Sequence, residues 1–130
     1  MKKVRVVLFC LVIMLCIGIF LSQPCLAANP DLKISQVVYI TTSKACGCTL
    51  KMCKAGDQLV DQIFTDSKTT FLKRIDYARN PEAARGYIAE HHLYTLPALL
   101  FLDANGNLLG CLVGELKKED IINKLNQYGA

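Results

Sequence analysis

Three cysteines, Cys46, Cys48 and Cys53, fall within eight residues of one another, and a fourth, Cys111, stands far from them. Clustered thiols do one of two kinds of chemistry. As thiolates they attack disulfides, pass through a mixed disulfide and are released by a neighbouring thiol. As soft ligands they hold ions such as Cu(I), Zn(II) or Hg(II). A structural disulfide framework would spread its pairs to staple distant loops, so the tight cluster reads as a reactive or metal-binding site. The thiolate is the working species in both cases. A thiol is acidified at a helix N-terminus, where unpaired amide N–H groups and the positive end of the dipole favour negative charge. Lys44 and Lys51 add positive potential beside the cluster.

Geometry limits which thiols can pair. Cys46 and Cys48 can meet across Gly47, in a small ring whose strain would make the bond oxidising and easily reduced. Two residues inside one helix and five positions apart, as Cys48 and Cys53 would be, are separated by about 7.5 Å of rise and about 140° of rotation. If Thr49 is the N-cap, however, Cys48 and Cys53 take the N′ and N4 positions, which pack against each other. Cys46–Cys48 is the preferred bridge; Cys48–Cys53, and no bridge at all, stay open.

The elements that must position these thiols follow from the pattern. Residues 36–41 (QVVYIT) are β-branched and aromatic, a strand buried on both faces. Residues 42–45 form a loop leading to the cysteines. From about Thr49 to Phe64, the apolar positions Cys53, Leu59, Val60, Ile63 and Phe64 recur at helical spacing, interrupted by Gly56, a place for a bend. Residues 69–76 form a second strand. Asn80 and Pro81 open a helix that runs to about His91. Residues 96–102 are a third strand with Pro97 at its start. Asn105-Gly106 marks a hairpin to a fourth strand, residues 108–113, ended by Gly114. Residues 117–128 make the last helix, with Ile121, Ile122 and Leu125 facing inward. On this fourth strand Cys111 reads as a small buried hydrophobe, Met52 as helix surface or packing, and His91 and His92 as exposed residues at a helix C-terminus. The order gives an α/β fold: a mixed four-stranded sheet flanked by helices on both faces, with a right-handed crossover between the first two strands.

Of the 130 residues, 15 are Lys or Arg and 11 Asp or Glu. Three of the basic residues (Lys2, Lys3, Arg5) precede an uncharged apolar run at residues 6–21, which is followed by a small-residue stretch ending at Ala27 and Ala28. This is the layout of a secretory signal, or of an uncleaved N-terminal membrane anchor at the short edge of spanning length. Residues 1–28 are thus expected to be a leader and residues 29–130 one domain, placed outside the cytoplasm and membrane-associated only if the leader is retained. From Asn29 onward the charge is near neutral, which excludes a nucleic-acid-binding face.

The body, from about Gln36 to Tyr128, resembles the thioredoxin superfamily. Three markers carry the resemblance: Cys46-Gly47-Cys48 at a strand-to-helix junction, Thr95-Leu96-Pro97 at the start of the third strand, and the run from Asp103-Ala104-Asn105-Gly106 through Gly114 to the last helix. The chain departs from the family in reading Cys46-x-Cys48-x4-Cys53 in place of C-x-x-C. Thr49 stands at the second cysteine position, Ala45 replaces the usual tryptophan, and no acid lies between Gln36 and Cys46.

The resemblance implies a thiol–disulfide oxidoreductase acting on protein thiol and disulfide clients with a separate redox partner, and needing no cofactor; the leader makes it an extracytoplasmic one. Cys46, the most solvent-facing thiol by analogy, would attack with a lowered pKa, and Cys48 or Cys53 would resolve. A cis peptide at Leu96–Pro97 would face the cysteines and offer the Leu96 backbone to a client strand. The competing class is a soft-metal or organometal (Cu, Zn, Hg) thiolate-binding protein on the same scaffold; a redox-inert adaptor is the third.

Overall fold

The computed structural model describes residues 32–65 and 71–129. The expected leader, residues 1–28, and the start of the second strand, residues 69 and 70, lie outside the described residues. In chain order the elements are β1 (Gln36–Thr41), α1 (Gly47–Ile63), β2 (Leu72–Asp76), α2 (Pro81–Glu90), β3 (Ala98–Leu102), β4 (Leu108–Val113) and α3 (Lys118–Gln127). The sheet runs β2-β1-β3-β4, with β1 parallel to β2 and antiparallel to β3, and β3 antiparallel to β4. The mixed four-stranded α/β sheet expected from the sequence is the observed architecture.

The central strands are apolar on both faces because both faces are covered. Alternation sends Val37 and Tyr39 of β1 and Leu99 and Phe101 of β3 to one side. There they pack with Val60 and Phe64 from the α1 segment and Ile121 and Leu125 of α3. Val38, Ile40, Ala98, Leu100 and Leu102 face the other side, against Ala84 of α2 and Leu93. Local chemistry fixes the connections. Asn80 Oδ1 accepts the Ala83 N–H at 3.2 Å and so caps α2, with Pro81 in its first turn. In the β3–β4 hairpin the Asp103 carboxylate accepts the backbone N–H groups of Asn105 and Asn107, both at 2.8 Å, and Gly106 supplies the positive φ of +83° that the turn requires.

Four expectations are corrected. The helix begins at Gly47 with Cys46 as its N-cap, two residues before the expected start. The third strand begins at Ala98, since Pro97 has no N–H to give a ladder. Ile122 is 38% exposed; it lies about 100° around α3 from Ile121, while Leu125 shares the buried face with Ile121. Cys111 is exposed. It pairs with Leu100 on the α2 side of the sheet, but β4 is the edge strand and α2 packs over β2 at the opposite edge, leaving Cys111 uncovered.

Gly56 lies inside an unbroken helix and serves close approach instead of a bend. A Cβ at this position would stand 2.6 Å from the Tyr39 hydroxyl, 3.3 Å from Pro97 Cγ and 3.4 Å from Leu116 Cδ1. Tyr39 and Pro97 are both fully buried, so neither has room to withdraw. Gly56→Ala gains about 1 kcal/mol of helix propensity but overpacks this contact at a cost of roughly 1–3 kcal/mol. We expect a net loss of stability, read as a lower denaturant midpoint, and a smaller loss when Tyr39→Phe removes the nearest atom.

Candidate functional site

The chain leaves β1 through a loop held by side-chain oxygens. Thr42 Oγ1 donates to the Lys44 carbonyl at 3.0 Å and accepts the Lys44 N–H at 3.3 Å. Asp76, at the end of β2, accepts the backbone N–H groups of Ser43 and Ala78, both at 3.0 Å, and pairs with Arg79 Nε at 3.3 Å. Partial burial pushes the Asp76 carboxyl up; the Ser43 and Ala78 hydrogen bonds and the Arg79 charge outweigh it and hold its pKa below the usual carboxylate value. Asp76 therefore stays ionised at neutral pH and ties the loop before the cysteines to the sheet.

That loop delivers Cys46 to the N-cap of α1 in extended backbone geometry, φ −63° and ψ 159°, with its side chain free of any capping bond. The first turn of the helix contains no acid to compete for the amide donors. Cys46 is exposed, and its Sγ lies 3.2 Å from Thr49 Oγ1. The Thr49 hydroxyl foremost, then the backbone N–H groups of Thr49 and Cys48, stabilise the thiolate and lower the Cys46 pKa below the usual thiol value. From the sequence, Thr49 stands as a candidate N-cap and at the second cysteine position, not as the hydrogen-bond partner of Cys46. The spacing i, i+3 across a helix start was the available signal, because it is the spacing at which a first-turn side chain reaches back to the cap.

Cys48 is also exposed and follows Cys46 around the first turn. It borders an open groove of about 370 Å³ between α1 and the segment after β4, lined also by Lys51, Met52, Ala55, Glu115 and Leu116.

One expected member of the site, Cys53, is buried. With Cys46 as the cap, Cys48 and Cys53 both lie inside the helix, so the packing of N′ on N4 that would allow a Cys48–Cys53 bridge is lost. Cys53 belongs to the buried stripe of Cys53, Gly56 and Val60; it is 1% exposed, and its carbonyl accepts the Tyr39 hydroxyl at 3.3 Å. The Leu96–Pro97 peptide is cis. Pro97 is buried against Gly56, ten residues beyond Cys46 and about 15 Å farther along the helix axis. The proline thus packs against α1 at Gly56. Leu96 turns its side chain into the core on the α2 side. The three thiolates of the expected metal cluster do not converge either; among the described residues no three His, Cys, Asp or Glu side chains form a metal-sized group.

No protein-family model and no curated protein matches the sequence. Solved structures do match in fold. The C-terminal domain of DsbD from Neisseria meningitidis, in its reduced form, superposes with a TM-score of 0.56 at 15% identity, over 74% of this chain and 82% of that one. A thioredoxin from Malassezia sympodialis gives 0.52 at 18% identity, covering 76% and 82%. One from Aeropyrum pernix gives 0.51 at 14% identity, covering 74% and 76%. The chain has a thioredoxin-like fold.

Replacing Thr49 by Val removes the hydroxyl and keeps the shape. A lowered thiol pKa leaves Cys46 reactive below the pH at which an ordinary thiol ionises. We expect Thr49→Val to shift the pH midpoint of Cys46 alkylation by iodoacetamide upward, slowing the reaction at neutral pH. An unchanged midpoint would assign the acidity to the helix amides alone.

Proposed function

We propose that the protein is an extracytoplasmic thiol–disulfide oxidoreductase in which Cys46 attacks and Cys48 resolves. The observation that carries this reading is the exposed Cys46 thiol at the N-cap of α1, 3.2 Å from the Thr49 hydroxyl. The thioredoxin-like fold supports it, and the leader-like residues 1–28 support the compartment.

The Cys46 thiolate attacks one sulfur of a client disulfide. The S–S bond breaks, the departing sulfur leaves as thiolate and takes a proton, and Cys46 is joined to the client in a mixed disulfide. Cys48, as thiolate, then attacks the Cys46 sulfur. The client leaves with two electrons gained, and the protein carries a Cys46–Cys48 bridge that a separate dithiol partner reduces. With an oxidising partner the same steps run in reverse. Cys53, on the buried face of α1, takes no part, and Pro97 seats the helix at Gly56.

Separate thiol roles are read from trapping. Cys46→Ser should slow exchange with a model disulfide peptide by at least about 100-fold, because the attacking thiolate is gone. Cys48→Ser should keep the first step and accumulate a mixed disulfide on Cys46, seen by mass spectrometry of the tryptic peptides. Exchange that survives Cys46→Ser would sink the assignment.

A further inference from the structure

Met52 has no role in the core or in the redox reading. It is half-buried, yet it packs in neither hydrophobic cluster. It lies one helical turn after Cys48, at i+4, where side chains are neighbours on one helix face with Cβ atoms about 5–6 Å apart. Both residues line the same open groove beside α1. A thiolate and a thioether brought together in this way are both soft ligands, the type that selects Cu(I) over hard divalent ions. Tetrahedral zinc needs four ligands, and no such group converges among the described residues. A soft monovalent ion is satisfied by two.

We propose that Cys48 Sγ and Met52 Sδ form a Cu(I)-binding site in the groove between α1 and the β4–α3 segment. Ala55 and Leu116 give the groove an apolar wall, and Lys51 and Glu115 are its charged members. On binding, the Cys48 S–H bond breaks, the proton passes to solvent, and a Cu–S bond forms while Met52 donates a sulfur lone pair. The copper enters and stays as Cu(I), so no electron changes hands. A Cys46–Cys48 bridge would occupy Cys48, so only the reduced protein binds. The site itself does not require that the protein exchange disulfides.

The test uses the full chain with Cys10, Cys16 and Cys25 replaced by Ser and Met14 by Leu, which leaves Met1 as the only sulfur of the leader. The reduced protein is titrated anaerobically with Cu(I) against a chromogenic Cu(I) chelator. Stoichiometric binding is expected, weakened at least about tenfold by Met52→Leu, in keeping with the loss of a soft ligand, and unchanged by Cys53→Ser. Selenomethionine-labelled protein, read at the copper X-ray absorption edge, should show a copper–selenium shell that is lost in labelled Met52→Leu, where Met1 carries the only selenium left. Absence of Cu(I) binding, equal affinity in Met52→Leu, or a copper shell without selenium would each overturn the proposal. Retention of binding with disulfide exchange abolished in Cys46→Ser would separate this site from the redox reading.

Discussion

The contact of Gly56 with Tyr39 and Pro97 is the constraint on which the rest of the site depends. A helix lying on a sheet is normally held off by its own side chains. Here one residue of the buried stripe has none, and the Tyr39 hydroxyl and Pro97 ring occupy the space. Burial pushes the Tyr39 phenol well above its usual pKa, with the Asp57 carboxylate adding to the rise, so the hydroxyl keeps its proton and donates to the Cys53 carbonyl. The helix is thereby pinned both in depth and in rotation.

Rotation decides which thiols can react. With Cys53, Gly56 and Val60 turned into the sheet, the face bearing Cys48, Met52 and Ala55 turns towards the groove. The N-terminus of the same helix presents Cys46 to solvent. A residue at that place meets the open amide donors of the first turn and the Thr49 hydroxyl, while the Asp76 tether prevents the preceding loop from carrying it away. One packing contact thus separates an exposed pair from a buried third cysteine only five residues later.

Much of this was legible in the chain itself. The β-branched and aromatic run at residues 36–41, the apolar run before Asp103 and the Asn105-Gly106 turn specify the central strands and hairpin through local rules. The start of α1 was not legible, because Cys46 caps without a side-chain bond and so leaves none of the Ser, Thr or Asp signal on which such readings rest. Cys111 and Ile122 were misplaced because burial on an edge strand or at the margin of a helix stripe depends on which neighbour covers it. The contact of Pro97 with Gly56 was not legible for a related reason: a motif gives the order of residues, whereas the depth at which α1 settles is set by a missing Cβ at Gly56. Thr49 was visible as a residue but its hydrogen bond to Cys46 becomes evident only once the helix start is known.

A peptide map of the body cysteines after equilibration in an oxidising glutathione buffer tests the placement of α1 most directly. Blocking free thiols and digesting without reduction should yield one internal bridge, Cys46–Cys48, with Cys53 recovered unmodified until the fold is opened by denaturant. A bridge that includes Cys53, or rapid labelling of Cys53 in the native protein, would contradict the helix placement from which everything else follows.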